Sequence, residues 1–378
     1  MANQVGMGVV GAGAIGVNAA MKHLSQADVQ DRVRLAAVCD PMLGRAGAAA
    51  ATYGVEKGYV SYEELLADKN VDAVTLCTPI GMHFEQGMMA LEAGKHIHFN
   101  KTMTTTKAEA DILIAKAEAM GLKIVASPGQ MYWAVNQRIR KLLLDGRLGR
   151  PVWSICGTGS VGSYHINEPY RHGNDILTNT NPTWYFKKPG GGPQYDVTVY
   201  CLHAMTGILG PVRRVSAMSG RVVPSFNFRG EQIANEMDDS TTLMLEFDDN
   251  LFGVVYATPV GTVADGFSPY VYGLSGKVEG LVFNGEKLGK SGDHMPHHFG
   301  EHGKMGENHV YEDIMQLVDW IAEGGKKPYC NVEHARHVID IIESGYRAAE
   351  TGQTQLISTG FDLLGIEEIN EMLELYGG

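Results

Sequence analysis

No stretch of this chain stays apolar for the roughly 20 residues that a membrane-spanning helix needs, so no transmembrane segment is expected. Cysteine is sparse: five residues, at 39, 77, 156, 201 and 330, odd in number and with none at CxxC spacing. That excludes a disulfide framework and fits a reducing, cytoplasmic setting. Positive charge is also short. Lys and Arg number 31 against 43 Asp and Glu, a net charge of −12, which argues against nucleic acid or an anionic membrane as partner. A first strand expected by about Val5 leaves no room for the basic and apolar regions of a secretory signal, so none is expected. Repeats and low-complexity tracts are missing too.

What is present begins at the N-terminal end. An apolar run, Val5 to Val10, leads into Gly11-Ala-Gly13-Ala-Ile-Gly16, then a helix-compatible segment to about Gln26. A second run, Val33 to Val38, ends in Cys39-Asp40-Pro41. Strand, glycine turn, helix, strand and acid in that order form a dinucleotide-binding pattern. Gly11 permits the tight turn, Gly13 lets the backbone approach a pyrophosphate, and Gly16 lets the helix sit close to the strand. Ala14 and Ile15 open the helix, where free N–H groups and the positive dipole end favour phosphate. Asp40, twenty-four residues past Gly16, stands where a carboxylate binds ribose hydroxyls.

Strand and helix signals keep alternating to about residue 127, which predicts a parallel, doubly wound sheet. Ser61-Tyr-Glu-Glu64 reads as a capping box. Helices are expected over Met82–Ala93 and Lys107–Met120, and strands over Val71–Cys77, Lys95–Phe99 and Leu122–Ala126. After Ser127-Pro128 and a helix over Ala134–Asp145 the pattern changes. Strand-like runs follow one another at Val152–Gly157, Arg214–Val223, Thr241–Phe247, Leu251–Thr258 and Tyr270–Phe283. Consecutive strands imply a mostly antiparallel sheet. Helices over His309–Glu323 and Val332–Thr351 follow, and two long loops lie near 162–190 and 285–308. The chain is therefore expected to be α/β, with domains at 1–127 and 128–378.

In an open parallel sheet, ligands sit beyond the carboxyl ends of the strands. Three strand ends carry suitable groups: Asp40, Thr78-Pro79 and Asn100-Lys101. Lys101 is placed to stabilise an alkoxide or carbonyl oxygen; the alternative is a solvated loop lysine. A second constellation follows Gly190-Gly-Gly192. Asp196, Tyr200 and His203 fall at i, i+4 and i+7, which puts them on one face of a helix otherwise apolar. A satisfied buried hydrogen-bond network is the alternative there. His294, His297, His298 and His302 match no zinc spacing and are expected to form a mobile loop, with no metal site.

Together these residues resemble the Gfo/Idh/MocA oxidoreductases, the family of glucose–fructose oxidoreductase and inositol dehydrogenase. The likeness rests on the glycine turn, Cys39-Asp40-Pro41, Cys77-Thr-Pro79 with His83, Glu92-Ala-Gly-Lys-His96 leading into Asn100-Lys101-Thr102, and Gly190-Gly-Gly192 with Asp196 and Tyr200. It implies an N-terminal Rossmann dinucleotide-binding domain and a C-terminal α+β domain with a large, mostly antiparallel open sheet for substrate binding and oligomerisation. It also implies a homodimer or homotetramer and NAD- or NADP-linked oxidation or reduction of sugars, cyclitols and related polyhydroxylated molecules. Lys101 would orient the substrate oxygen, Tyr200 would exchange its proton, and Asp196 would hold the substrate or the base. A phenol titrates near pH ~10 unperturbed, so a neighbouring ammonium is needed for it to act near neutrality. Two departures stand out: Asn100 and Thr102 replace the family's Glu and Pro around the lysine, and His203 replaces an acid.

Asp40 favours NAD over NADP, since its charge repels a 2′-phosphate. The expected cofactor set is Gly11, Gly13, Ala14, Ile15, Asp40, Thr78, Pro79, His83, Asn100, Lys101 and Trp184. Tyr185, His203 and His309 are expected on the substrate side. His83 is alternatively a first-turn helix residue, and Trp184 a core aromatic. His334 and His337 are expected to be structural. Two other functions remain open: an NAD-dependent glycosidase working through transient oxidation, and a non-catalytic dinucleotide-binding regulator.

Overall fold

Every residue of β1 (Val5–Val10) is buried, because it lies inside its sheet with both faces covered. The computed structural model describes residues 4–159, 163–168, 171–261, 267–290 and 293–375. The chain divides into two compact units: Met1–Pro128, His165–Trp184 and His297–Val332 in the first, and Gly129–Tyr164, Tyr185–Pro296 and Glu333–Gly378 in the second.

In the first unit β1 is joined by β2 (Val33–Cys39), β3 (Lys57–Tyr59), β4 (Ala73–Leu76), β5 (His96–Phe99) and β6 (Ile124–Ala126). The order is β3-β2-β1-β4-β5-β6 and every pairing is parallel. This is a Rossmann-type sheet. Its strand order reverses between β1 and β4, the place where such sheets bind ligands. The helix after the glycine turn is π-helical over Gly16–Met21 before Lys22–Leu24. Lys107–Met120 is a helix with a full capping box: Thr106 accepts from the Glu109 amide while Glu109 reaches back to the Thr106 amide. The box expected at Ser61 forms only in half. Ser61 accepts from the Glu64 amide but gives its own proton to Glu63, next to Glu64 in the same turn.

Among the described residues, the second unit holds a nine-stranded sheet. In order across it run Glu286–Lys287, Val282–Phe283, Lys277–Glu279, Tyr270–Gly273, Pro151–Thr158, Phe252–Ala257, Ser240–Glu246, Arg214–Gly220 and Gln355–Leu356. Pro151–Thr158 and Phe252–Ala257 pair in parallel, and the other pairings are antiparallel. Burial alternates along Ser240–Glu246, with Thr241, Leu243 and Leu245 inward and Thr242 and Met244 outward. The single strand expected from Tyr270 to Phe283 is three. A turn at Gly273–Gly276 breaks it once, and positive φ at Gly280 (53°) and Leu281 (62°) breaks it again. A hairpin, Ser225–Phe228 with Glu231–Ala234, and a helix, Ile366–Leu375, add to the expected elements. Among the described residues no helix is long and apolar enough to cross a membrane.

Candidate functional site

The glycine turn of the first unit has the geometry its residue types demand. Gly11 sits at φ 93°, and a Cβ on Gly16 would lie 1.9 Å from the Gly11 carbonyl oxygen, so helix and turn touch backbone to backbone. A Cβ on Gly13 would meet nothing within 4 Å. The turn is open there, and Ala14 and Ile15 lie in the first helical turn, where N–H groups lack intrahelical acceptors. Asp40 is 5% exposed; its Oδ2 accepts from the Ala12 amide at 3.0 Å and its Oδ1 from the Met42 amide at 2.9 Å. An open turn beside a helix N-terminus, with an oriented carboxylate at the next strand end, fits a dinucleotide.

Beyond β4, Thr78 and Pro79 are half-buried, and the Thr78 hydroxyl donates to the Gln86 side chain. His83 is wholly buried, with Nδ1 2.8 Å from the Thr102 carbonyl and Nε2 3.0 Å from the Thr78 carbonyl. Burial pushes its pKa down to about 4, so the ring is neutral near pH 7 and donates its one N–H to one carbonyl at a time. The structure thus places His83 as a brace between two strand-end loops, sealed from solvent.

Asn100 is 6% exposed, and its Oδ1 has no hydrogen-bond partner among the described residues. Lys101, half-buried, follows it. His309, on the helix Asn308–Glu323, is an ionisable neighbour of Lys101: burial first, then the lysine charge, push its pKa to about 3. Behind these groups runs a buried chain that the sequence reading missed. Ser127 Oγ donates to Asp313 Oδ2 at 2.5 Å, leaving it to accept from His98 Nε2 at 3.0 Å; His98 Nδ1 then accepts from Thr75 Oγ1 at 2.8 Å. Burial holds His98 near pKa 3, so it is a neutral link. An imidazole on a strand was its visible signal. Its partners, on other elements, were not.

Of the four histidines expected in a mobile loop, His297 and His302 are buried. His302 is 1% exposed, with Nδ1 2.9 Å from His23 Nδ1 and Nε2 3.1 Å from Asp28 Oδ1. Its ring stacks on Tyr311 at 4.2 Å. His297 lies 2.8 Å from both Glu312 and Asp319. Among the described residues no cluster of three or more His, Cys, Asp or Glu could hold a metal. Trp184 is half-buried in the first unit.

In the second unit Gly192 donates its amide to the Tyr185 carbonyl at 2.7 Å, and Tyr185 is 1% exposed, edge-on to Phe186 at 5.3 Å. Asp196, 3% exposed, lies in a π-helical turn, Gln194–Thr198, that runs into the helix Val199–Leu209. The π turn changes the local spacing before Tyr200 and His203, which follow it on the helix itself. The following helix is buried on all sides through Ile208, so Tyr200 and His203 are enclosed rather than solvent-facing. Tyr200 stacks on Phe267 at 4.5 Å, and His203 packs against the His334 ring at 4.5 Å. Burial, then His337, push His203 to about 3. His334 lies 2.8 Å from Thr206 Oγ1, and His337 Nε2 accepts from the Val212 amide at 3.0 Å, structural roles as expected.

Residues 5–127 match the family described as "Oxidoreductase family, NAD-binding Rossmann fold", and residues 136–279 match the "GFO/IDH/MocA C-terminal domain". The chain is similar to D-xylose 1-dehydrogenase (NADP(+)) of Hypocrea jecorina, 28% identical over 203 residues, which cover 53% of this chain and 50% of that protein. It is similar to D-glucoside 3-dehydrogenase of Escherichia coli, 28% identical over 250 residues, 65% of each. These matches span about half to two thirds of the relatives' length. Among solved structures, an oxidoreductase from Agrobacterium radiobacter in complex with NAD+, L-tartaric acid and magnesium shares the fold. It has a TM-score of 0.70 and 18% identity, with 94% of this chain and 99% of that one covered.

Proposed function

The chain belongs to the Gfo/Idh/MocA oxidoreductase family, and on that premise we propose that it is an NAD-dependent dehydrogenase or reductase of a sugar, cyclitol or related polyhydroxylated small molecule. The observation that carries this reading is Asp40, fixed by the Ala12 amide beside the open face of the glycine turn. There its carboxylate receives the adenosine ribose hydroxyls, and its charge opposes a 2′-phosphate. Gly11, Gly13, Ala14 and Ile15 receive the pyrophosphate. Thr78, Pro79, Asn100 and Trp184 lie along the rest of the dinucleotide, with the orphan Asn100 Oδ1 offering an acceptor to it. His83 acts one step back, by holding the Thr78 and Thr102 loops.

When bound, the nicotinamide supplies the hydride acceptor or donor. The protein's own groups manage the substrate oxygen. The Lys101 ammonium binds that oxygen and stabilises negative charge on it. Tyr200 gives or takes the hydroxyl proton, and Asp196 holds the substrate or orients the phenol. His309, neutral beside Lys101, contributes a hydrogen bond rather than a second charge. Tyr185 and His203 complete the substrate side of the reading. The names of the two curated relatives, a xylose and a glucoside dehydrogenase, support the substrate class. Five free thiols support a reducing compartment.

Self-association through the open sheet face completes the reading. On that face Trp153, Met218, Met244 and Phe252 are 36%, 82%, 50% and 36% exposed; the strand register pairs Trp153 with Phe252 and puts Met244 and Met218, through Thr242, on the same face. A second copy of the chain, as a homodimer or within a homotetramer, covers it. Sugars, cyclitols and sugar acids assayed with NAD and NADP by reduced-nicotinamide absorbance test the function.

A further inference from the structure

Arg45, the first residue of the helix Arg45–Tyr53, is 8% exposed, and two of its three guanidinium nitrogens donate to backbone carbonyls. Nε donates to the Ile176 carbonyl at 3.1 Å and Nη2 to the Asn179 carbonyl at 3.0 Å, and Nη1 lies 3.9 Å from Asp40 Oδ1. The two carbonyls come from a segment more than 130 positions away in sequence, yet within the same unit. The Ile176 side chain also lies over the turn at Gly44, where a Cβ would meet its Cδ1 at 3.7 Å.

That segment is itself a built turn. The exposed Asp175 accepts from the amides of Leu177 and Thr178 at 2.8 and 3.0 Å and from the Thr178 hydroxyl at 2.5 Å. The Thr178 hydroxyl and these amides hold its carboxyl below the usual range, so it is ionised at neutral pH. Gly173 closes the turn, its amide donating to the Thr178 carbonyl at 3.0 Å. A turn organised in this way presents the Ile176 and Asn179 carbonyls in fixed positions.

An arginine beside the acid at the end of β2 is the group best suited to pair with a ribose 2′-phosphate, because its planar fork matches a phosphate dianion. Here Nε and Nη2 of that fork are bound to carbonyls, and Nη1 faces Asp40. We propose that Arg45 is a specificity-determining residue for the dinucleotide, and that the turn of residues 173–179 sets the choice by holding its guanidinium away from a 2′-phosphate. With the turn intact, Asp40 meets a ribose 2′-hydroxyl and the Arg45 fork, tied to the two carbonyls, cannot turn to grip a 2′-phosphate. With the turn loosened, Arg45 is released toward that phosphate. The inference rests on the reading of Asp40 as the adenosine-ribose residue and extends it to a segment that touches neither ribose nor Asp40.

Asp175→Ala tests it, since Asp175 is exposed and contacts neither Asp40 nor Arg45. Dissociation constants for NAD and NADP are measured by calorimetry on the full chain, with wild type, Asp175→Ala, Arg45→Ala and the double variant forming a cycle. Circular dichroism confirms that each is folded, and Asp175→Asn serves as the milder variant if the alanine form is not. The expected result is that Asp175→Ala shifts the NADP:NAD affinity ratio about tenfold toward NADP, and that the shift vanishes when Arg45 is alanine. An unchanged ratio, or an equal shift without Arg45, overturns the proposal while leaving the dehydrogenase reading intact. A wild type that binds neither dinucleotide overturns both.

Discussion

The imidazole of His83 lies 2.8 Å from the carbonyl oxygen of Thr102, the residue after Lys101. The brace joins two loops at the carboxyl ends of β4 and β5, so the position of the lysine depends on a side chain that solvent does not reach. His83→Leu should leave the Thr78 and Thr102 carbonyls without this donor and cost about 1–3 kcal/mol in urea unfolding. It should lower turnover more than it lowers dinucleotide affinity. A variant as stable and as active as wild type would show that the brace does not matter.

Asp40→Ser should weaken NAD about tenfold, roughly 1.4 kcal/mol, and relieve the exclusion of NADP. Calorimetric titration of wild type and variant with both dinucleotides checks this. Wild-type affinity at least tenfold higher for NADP than for NAD would remove Asp40 as the basis of cofactor choice.

Buried neutral histidines make stability depend on pH. His203 titrates near 3 in the folded chain and near ~6.5 when unfolded, so unfolding takes up a proton between those values. Its contribution is whole above pH ~6.5 and is lost progressively as pH falls from there toward 3, on the order of 1.4 kcal/mol per pH unit. His98 should behave likewise. His203→Phe should therefore flatten the decline in urea-unfolding free energy between pH 6.5 and 5 by about one proton's slope. A parallel decline in variant and wild type would place the proton elsewhere.

A charge on the open sheet face should separate subunits. Met244→Lys sets an ammonium on the face that also carries Met218, Phe252 and Trp153, where burial against a second copy would leave it unpaired. Light scattering at micromolar concentration should show an oligomer for wild type and a smaller species for the variant. A monodisperse wild-type monomer would contradict the assignment.

The parts legible in the sequence were those set by local chemistry. Val5–Val10 and Lys107–Met120 lie where an uninterrupted apolar run, and a helix pattern ended by Gly121, placed them. The turn chemistry of Gly11 to Gly16 carried the nucleotide-binding fold. The illegible parts depended on partners remote in sequence or on a departure from ideal period. His302 meets His23 across 279 positions, so its histidine-rich neighbourhood looked like a loose loop. Arg45 is held by carbonyls that no side-chain pattern reveals. Asp196 sits in a π turn, a departure from 3.6 residues per turn that the residue pattern does not announce. Tyr270–Phe283 reads as one strand because its composition is right, while Leu281 takes a left-handed conformation that composition does not announce.

The central claim is that Lys101 and Tyr200 manage the oxygen from whose carbon hydride leaves or to which it returns. Wild type, Lys101→Ala and Tyr200→Phe should be assayed on a panel of sugars, cyclitols and sugar acids with NAD, following reduced-nicotinamide absorbance, with dinucleotide affinity measured alongside. The account predicts turnover of at least one polyol by wild type, a loss of roughly 10²-fold or more in each variant, and little change in dinucleotide affinity. Near-full turnover in both variants with the true substrate would contradict it, and loss of turnover in His203→Ala alone would move the proton-transfer role to that histidine.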